Sequence, residues 1–366
     1  MAMDFLDFTA DENDNGRRLD RIVRRLMPNH SLGMVYKYLR KGLVRQNGGR
    51  AKPDSRVASG DTISIAAFLL QDSPASDGPG GERREEQTSE LKPRKQGGEQ
   101  KASPQLKLGT DLFLNSHIRI INKPYDIPVQ GGGGSSISLD KLILRDYLLR
   151  QQERGLPPSL SFRPGPLHRL DRKTTGVLAF SQSLLGAQWF SQALKDHLMG
   201  KEYLAIVEGR LAKSQHWREE ILRPRQKGDS AFHQSVVSPE GKEADTVALP
   251  LGWGKFRGKD ITLLHIVITT GRTHQIRLHC SHHGFPLLGD TSYGGSPLHG
   301  KTGRHHRKSL GSVPPQQELF LHAWKLSIPQ DNPLSLPPQI TAPIPEIFQN
   351  MLATHLPEID LNGYII

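Results

Sequence analysis

A single cysteine, Cys280, among 366 residues excludes an internal disulfide and fits a reducing compartment, where such a residue packs as a small apolar side chain. Long apolar runs are missing too. Mean hydropathy is −0.50, and no stretch approaches the roughly 20 apolar residues that a membrane-spanning helix needs, so no membrane contact is expected. The opening residues 1–15 are acidic, unlike a secretory or transit leader, and a cytoplasmic location is the expectation. No aminoacyl-adenylate signature and no glycine-rich dinucleotide or methyl-donor loop is present, which removes the enzyme classes that depend on them.

Negative charge is in short supply as well. Lys and Arg number 48 against 37 Asp and Glu, for a net charge of +11 and a pI near 9.7. The excess is concentrated in residues 17–70, which hold twelve Arg and Lys against only Asp20, Asp54 and Asp61. Leu19, Ile22, Val23 and Leu26 recur there at helical spacing, leaving Arg17, Arg18, Arg21, Arg24 and Arg25 on the other faces. A second helix is expected from a Ser31 cap through Val35, Tyr38 and Leu39 to a stop at Gly42, carrying Lys37, Arg40 and Lys41. Residues 43–48 read as a strand entering a turn, and 61–65 as a closing strand. Two short basic helices followed by strands resemble the alpha-L (S-four type) RNA-binding module, with Arg18, Arg21, Arg25, Lys37, Arg40 and Lys41 as expected phosphate contacts. Residues 72–108 are Pro, Gly, Ser and charged residues with almost no apolar positions, the composition of a flexible linker. The expected organisation is an acidic tail at 1–16, the alpha-L module at 17–70, a disordered linker at 71–110 and a catalytic domain at 111–366.

Within that last segment, residues 168–176 set one carboxylate, Asp171, in a polar turn before the apolar run 177–180. Arg169 and Arg172 bracket the acid, which favours its ionised form, and Thr174, Thr175 and Gly176 allow the backbone to fold tightly beneath it. Asp171 is a candidate nucleophile; the bland alternative is an Asx-turn acid in a surface loop. A different chemistry is suggested by His274, His279, His282 and His283, spaced like metal ligands, in a metal-dependent RNA hydrolase. No Asp or Glu lies between His274 and His283 to complete a zinc set, which argues against it, and neither a metal nor an organic cofactor is expected. A non-catalytic assembly factor would be expected to have lost Asp171.

His168, Arg169, Leu170 and Asp171 followed by Thr174, Thr175 and Gly176 resemble the signature of the RluA family of pseudouridine synthases. Other blocks of that family follow in order: Ile120, Ile121, Asn122, Lys123 and Pro124; the loop from Val129 and Gln130 through the glycines to 134; 201–209 around Tyr203; and 270–277 with 289–294. One departure is Asp126, where the family usually has glycine. The resemblance implies an α+β fold with a large mixed, mainly antiparallel sheet and a cleft across it. Strand-like runs at 118–121, 177–180, 203–207, 261–268 and 319–328, with helical patterns near 139–149, 184–198 and 273–283, agree with an α+β class.

The resemblance also implies roles: Asp171 as the indispensable carboxylate, Arg277 as its ion-pair partner, Tyr203 against the target base, and Arg169 entering the RNA where the base has left. His168 either orients the loop, packs beside Pro166 or touches RNA. The implied partner is RNA, foremost large-subunit ribosomal RNA with transfer RNA as the alternative, acted on by a monomer. A basic loop at 297–317, with Lys301, Arg304, His305, His306, Arg307 and Lys308, reads as an insertion that is either disordered or touches RNA.

Overall fold

In the computed structural model, residues 3–71, 108–131, 137–156, 159–224, 234–298 and 318–359 are described. The expected linker, but for its two ends, and the basic loop beyond Leu298 lie outside these residues. The chain divides into two units, residues 1–106 with 157–162, and residues 107–156 with 163–366.

The smaller unit begins with strand β1 (Phe5–Thr9), followed by helices α1 (Leu19–Leu26) and α2 (Leu32–Lys41), strands β2 (Val44–Gln46), β3 (Gly49–Arg50) and β4 (Thr62–Ala66), and a last turn of helix α3 (Phe68–Gln71). The four strands form one sheet in the order β1-β4-β2-β3. Leu19, Ile22 and Val23 of α1 and Val35 and Leu39 of α2 are fully buried against Ile63 and Ile65 of β4, the stripe that the helical spacing foretells. Ser31 caps α2 by accepting the Met34 N–H at 3.4 Å, and Gly42 ends it at φ 71°, a left-handed angle that glycine takes without penalty.

The acidic tail expected at 1–16 is corrected. Phe5–Thr9 is a strand paired antiparallel with β4, and Asp14 is fully buried, its carboxylate accepting from the backbone N–H groups of Leu160 and Ser161 at 2.9 Å. The segment reads as a tail because its acids dominate composition, yet an acid facing backbone donors is satisfied inside a fold. Leu160 joins the same core, so the unit is closed by a piece of chain distant in sequence.

The larger unit contains β5 (Thr110–Leu114), β6 (Ile118–Lys123), α4 (Leu139–Glu153), β7 (Thr175–Ser181), α5 (Leu184–Lys195), β8 (Gly200–Glu208), β9 (Gln215–Leu222), β10 (Val236–Val237), β11 (Lys242–Phe256), β12 (Lys259–Ile268), α6 (Gln275–His282), a 3₁₀ turn (Thr291–Tyr293), β13 (Leu321–Ser327), β14 (Gln339–Thr341) and α7 (Glu346–His355). Its sheet runs β10-β9-β11-β12-β8-β13-β7-β6-β5, with β14 beside β13. The β13–β7 pair is parallel and every other pair antiparallel, so the expected mixed, mainly antiparallel α+β architecture is the one found.

Alternation along the central strands feeds three apolar clusters. Ile121, Leu178, Phe180, Tyr203, Ala205 and Val207 pack with Leu139 and Ile143 of α4 and with Ile276 and Cys280 of α6. Ile118, Ile120, Val177 and Ala179 face Phe190 of α5, while Leu204 and Ile206 meet Phe348 and Leu352 of α7. Buried on both faces, β7 carries an unbroken apolar run at 177–180.

Candidate active site

The residues that frame Asp171 are held by two neighbouring strands. Thr174 donates its N–H to the Asp171 carbonyl at 3.0 Å, closing the turn that leads into β7. Lys123, at the end of β6 and only 1% exposed, donates from Nζ to the carbonyls of Pro124 (2.9 Å), Arg172 (2.8 Å) and Thr174 (2.9 Å). An ammonium has three N–H donors and here meets three acceptors, so the backbone on both sides of Lys173 is pinned to β6. Burial lowers the Lys123 pKa to about 7, against the opposing pull of Asp171 and Asp126. After the turn, Gly176 sits at φ 108°, and a Cβ there would lie 2.0 Å from the Ala323 carbonyl oxygen on β13. Only glycine lets the two strands approach this closely.

Asp126 accounts for the departure in the family pattern. Its φ is 61°, the region usually left to glycine but tolerated by Asp, and its carboxylate takes the Arg172 guanidinium at 2.9 Å. Arg172 is therefore committed away from the acid, and the expected bracket of Asp171 by its chain neighbours is corrected: the cation beside Asp171 comes from α6. Arg277 NH1 stands 3.4 Å from Asp171 Oδ2, while its Nε and NH2 donate to Asp290 at 2.6 and 2.8 Å. His274, the residue before α6, brings Nε2 to 3.8 Å from Asp171 Oδ1.

Asp171, Arg277 and Tyr203 line one open cleft with about 420 Å³ of space, together with Arg169, Arg272 and His274. Tyr203, on β8 and 7% exposed, has its pKa pushed up by burial and then by the Asp171 charge, so it is a neutral phenol. Arg169 is exposed at the rim.

His168 is turned inward. Its Nε2 accepts the Ala179 N–H at 3.1 Å, its ring stacks on Phe190 with centroids 6.4 Å apart, and burial lowers its pKa to about 4. The expected RNA contact at His168 is corrected to a loop anchor on β7, one of the readings its sequence allows. Of the N-terminal cations, Arg21, Arg25, Lys37, Arg40 and Lys41 are exposed. Arg18 is spent within the fold on Asp20, at 2.7 Å.

The four histidines near α6 do not converge. His274 faces Asp171 and Tyr293, His283 Nε2 bonds Glu219 at 2.8 Å and ties α6 to β9, and His279 Nδ1 meets the Thr246 hydroxyl at 2.9 Å. Among the described residues, no group of three His, Cys, Asp or Glu side chains is arranged to hold a metal ion, and no helix is long and apolar enough to cross a membrane. Asp290, Lys123 and His274 are the site residues whose contacts went unread in the sequence. Each stands inside a family block, but its partner is set by the fold.

Against known proteins, residues 117–282 match the family model described as RNA pseudouridylate synthase. Residues 17–63 match the S4 domain model. The ribosomal large subunit pseudouridine synthase C of Escherichia coli O6:H1 is 30% identical over 87% of this chain and 86% of its own. The chain belongs to the RNA pseudouridylate synthase family. The Haemophilus ducreyi protein of the same name is 28% identical over 94% of each chain. Among solved structures, human RNA pseudouridylate synthase domain containing 4 aligns with a TM-score of 0.48 and 23% identity over 66% of this chain and 91% of that one. As a pseudouridine synthase with an S4 domain, the protein is an RNA-binding isomerase.

Proposed function

We propose that this enzyme isomerises specific uridines of large-subunit ribosomal RNA, with the Asp171 carboxylate as the reacting group. The observation that carries the chemical part is the shared cleft: a carboxylate, a guanidinium 3.4 Å from it and a buried phenol, all opening to solvent past an exposed arginine. Isomerisation breaks the bond from uracil N1 to ribose C1′, turns the base, forms the bond from C5 to C1′, releases the C5 proton and leaves a proton on N1. No atom of the base or sugar framework is gained or lost. A carboxylate suits the task because it attacks and then leaves, splitting one difficult step into easier ones. Arg277 aims it. Tyr203 lines the same cleft and is assigned to the detached uracil, since a neutral phenol can accept the C5 proton as it passes on its own.

A base stacked in folded RNA must first be extruded. We assign that step to Arg169, since a flat cation can stack in the gap left by the base. The exposed cations of α1 and α2 supply phosphate contacts outside the cleft. The ribosomal substrate is supported by the names of the relatives, which match along most of their length. Sequencing ribosomal and transfer RNA from a deletion strain after pseudouridine-specific chemical treatment tests this. Loss of modification in 23S-type RNA is expected; loss confined to transfer RNA would overturn the ribosomal assignment.

A further inference from the structure

Asp171 presents two oxygens, and each is faced by a different residue of the α6 segment, Arg277 at Oδ2 and His274 at Oδ1. Both of those residues lean on the same short turn. We propose that the turn 290–294 positions the reaction centre, Asp290 orienting Arg277 and Tyr293 orienting His274, so that one donor is aimed at each oxygen of Asp171. This rests on the reading of Asp171 as the reacting carboxylate.

The distances decide who holds Arg277. Its two bonds to Asp290, at 2.6 and 2.8 Å, are a paired, charge-assisted contact with a carboxylate that is 3% exposed, whereas NH1 is 3.4 Å from Asp171. The short pair sets the plane of the guanidinium, and the long contact follows from it. The guanidinium also lies over the Tyr293 ring, 4.9 Å from its centroid.

Hydrogen-bond direction decides what His274 presents. The Tyr293 hydroxyl accepts the Ser235 N–H at 2.8 Å, which leaves its own proton for an acceptor. His274 Nδ1 is 2.9 Å away, against 3.5 Å for the Ser235 carbonyl. Nδ1 therefore accepts, the ring proton resides on Nε2, and Nε2 is the atom facing Asp171. Burial lowers the His274 pKa, which favours this neutral form. His274 adopts φ 57°, a costly left-handed angle for a residue with a Cβ, of the kind that persists where surrounding contacts enforce it.

The turn itself has little freedom. Tyr293 N–H and Gly295 N–H both donate to the Asp290 carbonyl, at 3.0 and 2.8 Å. Cβ atoms at Gly289 and Gly295 would fall 1.6 Å from the Glu318 oxygen and 2.2 Å from the Leu287 oxygen, and Ser296 is fastened to Glu208 on β8 by its N–H and its hydroxyl. The result is a carboxylate directed from both sides at 3.4 and 3.8 Å without a short bond that would have to break before it attacks. Such contacts commonly tighten only when substrate is bound.

The test uses the full chain and a large-subunit RNA transcript carrying uridine tritiated at C5. Tyr293→Phe keeps the ring beneath Arg277 and removes only the hydroxyl; turnover at saturation is expected to fall about tenfold with half-saturating RNA unchanged. In nitrogen NMR, with His274→Gln to assign the signal, the His274 ring of the wild type is expected as the Nε2–H tautomer and as a mixture in Tyr293→Phe. Tyr293→Phe added to His274→Gln should cost nothing further. Asp290→Asn is expected to lower turnover about a hundredfold; should it melt early, Tyr293→Phe still decides. Unchanged turnover in Tyr293→Phe, a loss confined to RNA affinity, or an Nδ1–H tautomer in the wild type would overturn the proposal. Turnover surviving Asp171→Asn would instead overturn the reading of Asp171 on which it stands.

Discussion

Replacing Asp171 by Asn separates a reacting carboxylate from a structural ion pair, because the geometry assigns the two cases different costs. If Asp171 were there to neutralise Arg277, its removal would strand a cation that is 11% exposed, and stranding a buried charge typically costs about 3–5 kcal/mol. Arg277 is not stranded, since Asp290 holds it through two bonds of 2.6 and 2.8 Å. What is lost is the attraction across 3.4 Å to a carboxylate whose side chain is 22% exposed. Unscreened, at an effective dielectric constant of about 20, that is about 5 kcal/mol; solvent access and side-chain entropy reduce such pairs to about 1 kcal/mol net.

Asp171→Asn is therefore expected to melt within about 4 °C of the wild type, using 2–4 °C per kcal/mol for a unit of this size. RNA affinity should be unchanged or slightly tighter, because the variant removes a negative charge from a cleft that also holds Arg169, Arg272 and Arg277. Turnover should fall at least about 10⁴-fold, the scale seen when a nucleophile is deleted. Calorimetry, filter binding and tritium release from C5-labelled uridine measure the three quantities. A fall of more than about 10 °C in melting temperature, or turnover within tenfold of the wild type, would refute the argument.

Arg169→Ala is expected to slow reaction on structured RNA more than on an unstructured oligonucleotide, because only the former must be unstacked, at a cost of a few kcal/mol; equal slowing on both would make Arg169 a general phosphate contact. Replacing Arg21, Arg25, Arg40 and Lys41 together by Ala should weaken RNA binding and flatten its salt dependence by roughly 0.7 to 0.9 units of log-log slope per lost contact, and an unchanged slope would mean that this exposed face does not touch phosphate. His322 is fully buried, its Nδ1 2.8 Å from the Thr175 hydroxyl, and burial lowers its pKa from 6.5 to about 4. Between those values the unfolded chain binds a proton that the folded chain does not, so the stability is complete above pH 6.5 and is lost as pH falls towards 4, by up to about 3 kcal/mol. Melting curves from pH 7 to 4.5 should fall more steeply for the wild type than for His322→Gln; parallel curves would show that His322 is not responsible.

Helices α1 and α2 were legible in the sequence because everything that defines them is local: the stripe of Leu19, Ile22 and Val23, the Ser31 cap, the Gly42 stop. Strand β11 was not. Its run Lys242–Phe256 contains Pro250 and Gly252, residues that normally end strands, and the structure absorbs them in a register shift against β12. Strand β9 hid for the opposite reason: Gln215–Leu222 is mostly polar, with Trp217 and Ile221 its buried side chains. Strand β1 was masked by the acids around it, although Phe5, Leu6 and Phe8 were there to be seen.

The same division between local and distant explains the candidate active site. Asp171, Tyr203 and Arg277 could be named from the blocks that contain them, but the pairing of charges could not. The two arginines nearest in sequence looked like the partners of Asp171, yet Arg172 points to Asp126 and Arg169 to solvent. The cation arrives from 106 residues away, on a helix fixed by Asp290 and by the Glu219 bond to His283. A physical reason favours this arrangement. A cation on the same turn as the carboxylate would move with it and could close to a short bond, stabilising the ground state as much as the transition state. A guanidinium anchored on separate elements keeps its distance, so its attraction aims the carboxylate without consuming it. That is why mutating the anchor, Asp290, should cost turnover while the acid itself is left untouched.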